Sequence, residues 1–110
     1  MSLNASNQVV FSFAASSFNS TGTVAATTWT HIAVVREGTG ASQTKIYING
    51  TNDGTGTVAT DFSGTDVMYV GADRVAGSAL NGYIDDLRIT KGVARYTANF
   101  TPPTQAFPPY

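Results

Sequence analysis

The sequence predicts an all-β fold, an antiparallel β-sandwich of the jelly-roll type. Short segments with strand character follow one another, and turn residues separate them roughly every eight to twelve residues. No window has the apolar spacing of an amphipathic helix, and the chain contains one Glu and two Lys. Only 12% of the residues are charged, against about 25% in an average domain. Thr, Ser, Asn and Gly take their place, and Thr fits the pleated surface of a sheet.

Charge and hydropathy exclude several classes of partner. The net charge is −1 and the six Lys and Arg are scattered, so we expect no nucleic-acid partner. No segment approaches the roughly 20 consecutive apolar residues of a membrane span, so we expect no membrane insertion. Residues 1–7 lack the features of a signal peptide. Without cysteine the chain has no disulfide or zinc–thiolate site. The length predicts one domain over residues 1–110.

Three strands are predicted in the first third of the chain. In residues 8–14 the apolar side chains alternate, so one face of this strand lines a core. A Ser/Asn-rich link follows, and residues 22–26 form a weak strand of small residues. Residues 29–36 have apolar side chains on both faces, which predicts a central strand. Trp29 and His31 share one face of it, and both are expected to be packed structural residues.

A hairpin is predicted in the middle of the chain. Residues 45–48 lead into Asn49-Gly50, the dipeptide that best supplies the two positive φ angles of a type I′ turn. The return strand spans residues 51–60 and contains Asp53-Gly54, which predicts a bulge or a second tight turn. Residues 67–70 form a short buried strand.

The last predicted strand, residues 83–90, has a break in its alternation. Either a bulge falls at Asp85 and Asp86, or one of these carboxylates points inward. An inward carboxylate needs donors, and Arg36, Arg88 and backbone amides are the candidates. A structural ion pair is the expected outcome.

Two further segments lack strand character. Residues 71–82 form a loop, and loops carry many functional residues. Residues 97–110 contain all four prolines, which predicts an extended tail that packs along a sheet edge through its aromatic side chains.

At this point four segments together resemble a known family. They are WTHIAVVREG, KIYINGT, VMYVGA and NGYIDDLRITKGVARYTANFTPP, within residues 22–103. They are similar to the C-terminal part of laminin G-like or concanavalin A-like jelly-roll domains, especially those of bacterial surface and phage tail proteins. Members of that family carry more N-terminal sequence, so this sandwich looks shortened at its N-terminus. Either it is a minimal sandwich, or a neighbouring subunit completes its sheets. We expect association, as a homo-oligomer or with a neighbouring chain.

The residues argue against an enzyme. Glycosidases need two carboxylates facing each other across the bond, whereas adjacent Asp85 and Asp86 point to opposite faces of a regular strand. Enzymes of the resembling fold share a Glu-x-Asp-x-(x)-Glu strand that this chain lacks. The one histidine, His31, is predicted to be packed and hydrogen-bonded rather than free to act as a base.

The resemblance implies calcium or carbohydrate as ligands. Calcium needs six to eight oxygen ligands, and Asp73 with Asn81, or Asn52 with Asp53, offers some of them. The alternative is that these are solvated loop residues. A sugar needs an exposed aromatic face with polar partners. The exposed aromatic candidates are Tyr69, Tyr83 and Tyr96. The predicted ligand-binding set is Asn52, Asp53, Asp73, Arg74, Asn81 and Tyr96.

Together these features predict a non-catalytic recognition module, located outside the cell or on a virion surface, that binds cell-surface carbohydrate as part of an oligomer. Valency would then multiply a weak single-site affinity. The alternative is a structural protein of a virion or filament that uses the sandwich for assembly.

Overall fold

Two antiparallel three-stranded sheets form the fold in the computed structural model, which describes residues 1–14, 16–73 and 78–108. The first sheet contains β1 (Ser2–Leu3), β2 (Gln8–Phe13) and β3 (Ser16–Thr23), in that order. The second contains β4 (Ile32–Arg36), β5 (Thr44–Ile48) and β6 (Thr51–Gly56), also in that order. No described residue is helical, so none of the described chain forms a helix able to cross a membrane. The prediction of a small all-β sandwich is confirmed.

An aromatic cluster holds the first sheet together. Phe11 on β2 lies directly opposite Phe18 on β3, and their ring centroids are 5.9 Å apart in an edge-on arrangement. Phe13 packs against both rings. Edge-on and offset ring pairs contribute about 0.5–1.5 kcal/mol each beyond the area that they bury. Val9, on the same face of β2, is fully buried.

The third strand of this sheet differs from the prediction. β3 covers Ser16–Thr23, so most of the predicted link is strand and the predicted strand at residues 22–26 is wrong. The alternation is present, but its inward positions are Phe18, Ser20 and Gly22. Only one of these three is a large apolar residue, and this is why the pattern looked like a link.

The second sheet follows the predicted hairpin. Asn49 and Gly50 have φ angles of 49° and 80°, as a type I′ turn requires. The register places Ile46 opposite Gly54 and Tyr47 opposite Asn52, so Asp53 is the extra residue of a bulge. Both the turn and the bulge are confirmed, although the return strand ends at Gly56.

The two sheets meet where β3 packs against β6. A Cβ atom on Gly54 would lie 2.7 Å from the carbonyl oxygen of Asn19, and one on Gly56 would overlap the Phe18 ring. The Asp53 carboxylate accepts a hydrogen bond of 2.6 Å from the Gly22 amide. Small residues on both strands therefore allow the close approach, and one carboxylate joins the sheets.

Strand β4 begins later than predicted, and Trp29 is not in the core. Ile32 pairs with Ile48, the last residue of β5 before the turn, so residues 29–31 have no partner strand. The Trp29 side chain is 71% exposed. The predicted structural role of Trp29 is therefore wrong.

The predicted strands at residues 67–70 and 83–90 are not formed. Residues 69–71 bond instead to the first residue: the Met1 ammonium donates to the Tyr69 carbonyl, and the Gly71 amide donates to the Met1 carbonyl. In residues 83–90, Asp86 has a φ of 55°, a value that does not occur in an extended strand. Asp86 lies where the alternation of apolar residues breaks.

The proline-rich tail lies over the β5–β6 hairpin. The Phe100 amide donates to the Gly50 carbonyl, and the Asn52 amide donates to the Asn99 side chain. No strand occurs in its described part, residues 97–108. Tyr110, expected to help hold the tail, lies outside the described residues.

Candidate functional site

A cavity of about 660 Å³ opens between the first sheet and residues 60–73. This volume is within the range of about 300–1,000 Å³ that is typical of small-molecule sites. Its aromatic lining residues are Phe11, Phe13, Phe62 and Tyr69, and its carboxylates are Asp61, Asp66 and Asp73. The lining therefore combines aromatic faces with hydrogen-bond acceptors.

Strand β2 provides one wall of the cavity. Phe11 and Phe13 are two residues apart, so they project from the same face of the strand. Their rings are stacked, with centroids 5.9 Å apart and an interplanar angle of 27°. The pair presents two neighbouring rings that are only half-buried. Such a surface suits a flat ligand with exposed C–H groups.

The opposite wall is held in place from β4. The Arg36 guanidinium donates to the Thr60 carbonyl over 2.8 Å and lies 5.1 Å from the centre of the Phe62 ring. Asp61, between these two residues, accepts hydrogen bonds from the amide and the hydroxyl of Ser63, at 3.0 and 2.8 Å. Arg36 is therefore a positioning residue for this wall, and Asp61 has a defined orientation.

The described residues do not fit a calcium ion. Among them, no three His, Asp or Glu side chains come close enough together to hold a metal. Asp73 lines the 660 Å³ cavity, whereas Asn81 lines a separate wide groove. The Asp53 carboxylate is hydrogen-bonded to the Gly22 amide. Neither of the two predicted pairs thus assembles the six to eight oxygens that calcium takes.

The other predicted ligand-binding residues that the structure describes do not line the cavity. Asn52 is exposed on β6 beside the tail. Tyr96 stacks on Phe100, with centroids 3.6 Å apart and an angle of 7° between the rings. Arg74 lies outside the described residues. Of the predicted set, the structure therefore places only Asp73 at the cavity, together with Tyr69 from the aromatic candidates.

His31 is packed by the tail. Its ring meets the rings of Phe100 and Tyr96 edge-on, at centroid distances of 5.5 and 6.4 Å. The buried Nδ1 atom has no hydrogen-bond partner among the described residues, which differs from the expected hydrogen-bonded histidine. Burial lowers the pKa of His31, and the charge of Asp86 opposes this shift.

The predicted ion pair of Asp85 or Asp86 with an arginine does not form. Both aspartates are exposed, and Asp86 accepts a hydrogen bond from the Phe107 amide. The Arg88 guanidinium lies 3.6 Å from the centre of the Phe107 ring. Asp86 and Arg88 therefore both bind the tail rather than each other.

A wide groove of about 2020 Å³ lies beside the cavity. Several large apolar side chains line it and are more than half exposed: Trp29, Tyr83, Leu87, Ile89 and Val93. Exposed apolar side chains that share one groove are typical of interaction surfaces.

Sequence reasoning missed most of the cavity. The alternation in β2 was assigned to the core, yet Phe11 and Phe13 line the cavity. Phe62 and two of the carboxylates were not singled out at all. The spacing Asp61-Phe62 and then Asp66, in a segment rich in Gly and Ser, is a signal that could have indicated them.

The fold is a small all-β sandwich of two three-stranded sheets. A family model agrees: Laminin_G_3, the concanavalin A-like lectin/glucanases superfamily, matches residues 1–95. The chain belongs to this family, and the match extends further toward residue 1 than the resemblance at residues 22–103. Laminin G-like domains are generally non-catalytic, although the superfamily includes glucanases. Comparisons with curated proteins and with solved structures found no match.

Proposed function

We propose that this domain is a non-catalytic carbohydrate-binding module, located outside the cell or on a virion surface, whose site is the 660 Å³ cavity. The observation that carries the proposal is the neighbouring pair of half-buried rings, Phe11 and Phe13, beside the carboxylates of Asp61 and Asp66. Membership of a lectin/glucanase superfamily supports it.

Each part of the lining matches one part of a sugar. The C–H face of a pyranose ring packs on an aromatic face, and its hydroxyl groups donate to carboxylate oxygens. Asp61 is already oriented by Ser63, so little conformational entropy is lost when it accepts a hydrogen bond from the ligand. Two of the cavity's carboxylates, Asp61 and Asp66, are exposed, which favours weak binding that an oligomer multiplies.

The chain's acidic residues support a binding role rather than hydrolysis. Its one glutamate, Glu37, forms an ion pair with Lys45 and does not line the cavity. Hydrolysis requires two opposed carboxylates, of which one stays protonated as the acid. The Asp61 carboxylate instead accepts hydrogen bonds from the amide and the hydroxyl of Ser63.

Binding of an oligosaccharide panel, followed by isothermal titration of the best ligand, tests the proposal. Tyr69→Ala removes an aromatic face from the cavity and should weaken binding about ten-fold, or 1.4 kcal/mol. Tyr83→Ala is the matched control, because this tyrosine is 88% exposed and lies outside the cavity. Equal effects of the two variants, or no binding by the folded protein, would contradict the proposed site.

A second role in assembly is favoured by the apolar lining of the groove. We propose that a second copy of this chain covers Leu87, Ile89 and Trp29, because the net charge of −1 gives two copies little reason to repel each other. Such an interface would serve a multivalent binder or a structural protein of a virion or filament. The protein should then sediment as an oligomer at micromolar concentration. Leu87→Asp should convert the oligomer to a monomer. Ala41→Asp, which adds the same charge in an exposed turn, should leave the oligomer intact. A monomeric wild-type protein would refute this assembly.

A further inference from the structure

The charges around the cavity are unevenly distributed. Three aspartates line it, and among the described lining residues there is no Lys, Arg or His side chain. The Met1 ammonium also lines it but donates to the Tyr69 carbonyl over 2.7 Å, and burial lowers its pKa. The described side chains that line the cavity therefore carry only negative charge, although the whole chain is nearly neutral.

The cationic side chains of the described residues do not line the cavity. Arg36 contacts Thr60 and Phe62 but does not itself line the cavity. Lys45 is paired with Glu37, Arg88 lies on Phe107, and Arg95 donates to Thr90. None of these groups neutralises Asp61 or Asp66 by direct contact.

Asp66 is the carboxylate best placed to meet a charged ligand. It is exposed, and it accepts no hydrogen bond from any described residue. Asp61 is held by Ser63, and its carboxylate keeps further acceptor capacity. A cationic group on the ligand therefore finds one oriented and one adaptable acceptor.

The aromatic lining favours a cation for an independent reason. An ammonium group near the face of a phenylalanine or tyrosine ring is attracted by the ring's quadrupole. Four aromatic side chains line this cavity, so a ligand with both C–H faces and an ammonium group uses both parts of the lining.

On these grounds we propose that the cavity selects amino sugars, hexosamine units with a free ammonium group, over their N-acetylated, neutral and acidic counterparts. This inference rests on the proposed carbohydrate-binding function. Exposed ion pairs contribute about 0.2–1 kcal/mol. The free amine should therefore bind about 1.4- to 5-fold more tightly than the N-acetylated sugar at low ionic strength, and salt should reduce this difference.

The test compares four tetrasaccharides of matched length by isothermal titration at pH 6: β-1,4-linked glucosamine, its N-acetylated form, a β-1,4-glucan and an oligouronate. Asp66→Asn keeps the shape of the side chain and removes its charge. It should lower the affinity for the free amine to that for the N-acetylated form and leave the latter unchanged. Asp85→Asn is the matched control, because Asp85 is an exposed carboxylate outside the cavity.

The outcomes separate this inference from the function on which it rests. Binding of all four sugars with equal affinity, or preference for the uronate, would overturn the selectivity and leave a carbohydrate-binding module. Equal losses in Asp66→Asn and Asp85→Asn would also overturn it, since they indicate attraction to the overall charge only. Failure of every sugar to bind would refute the carbohydrate function itself.

Discussion

Replacing Gly50 with alanine is expected to destabilise the domain by about 2–4 kcal/mol. Gly50 occupies the second position of the β5–β6 turn with a φ of 80°, and a side chain there costs about 1–2 kcal/mol. A Cβ atom would also overlap the carbonyl oxygen of Phe100 and lie 2.9 Å from its carbonyl carbon. The tail must then move away, and the hydrogen bond from the Phe100 amide to the Gly50 carbonyl, worth about 1 kcal/mol, is lost.

Gly92→Ala is the matched control for this substitution. Gly92 also has a positive φ, of 88°, but a Cβ atom there meets nothing within 4 Å. The control therefore measures only the cost of placing a side chain at a positive φ. Part of this cost, about 0.4–1 kcal/mol, is offset because alanine restricts the unfolded chain. The difference between the two variants isolates the contact between the turn and the tail.

Thermal unfolding followed by circular dichroism measures both variants. For a domain of this size 1 kcal/mol shifts Tm by about 4–8 °C. Gly50→Ala should lower Tm by about 8–32 °C, and Gly92→Ala should lower it by less than half as much. Equal shifts in the two variants would show that the tail does not rest on the hairpin turn in solution.

Three further predictions concern the remaining contacts. Asp53→Asn should lower the free energy of unfolding in urea by about 1–2 kcal/mol, because it weakens the charge-assisted bond to the Gly22 amide; an unchanged midpoint would contradict a joining role between the sheets. Burial lowers the pKa of His31 in the folded state, so the unfolded chain binds the proton more readily. The stability that His31 contributes is present above the ordinary pKa of about 6.5 and is lost as the pH falls through the lowered value. His31→Gln should therefore flatten the curve of Tm against pH in that range. An identical slope in the variant would refute the assignment of this pH dependence to His31. EDTA should leave Tm unchanged, since the described residues assemble no calcium site; a fall in Tm would contradict this.

Features set by local chemistry were predictable from the sequence. The turn at Asn49-Gly50 depends on two residues that tolerate positive φ, and the bulge at Asp53 depends on the glycine beside it. Both can be inferred without knowing what lies nearby. The alternation of apolar residues in β2 likewise identified one apolar face correctly.

Features set by distant partners were not predictable in this way. Trp29 continues the pattern of β4, but the ladder stops at Ile32 because β5 turns away after Ile48. An apolar face does not reveal whether it is covered by a core or opens into a cavity, so Phe11 and Phe13 were misassigned. The contact of β3 with β6 depends on the glycines of β6. The sequence pattern of β6 does not indicate which strand packs against them.

The division into two sheets has a consequence for how the chain folds. Among the described residues, every strand pairing joins neighbours in sequence, first within residues 2–23 and then within residues 32–56. Pairings of short sequence separation close small loops and form rapidly. Each sheet is therefore expected to form from its own segment. Docking of β3 on β6 would follow as the slower, cooperative step that converts two local meanders into one domain.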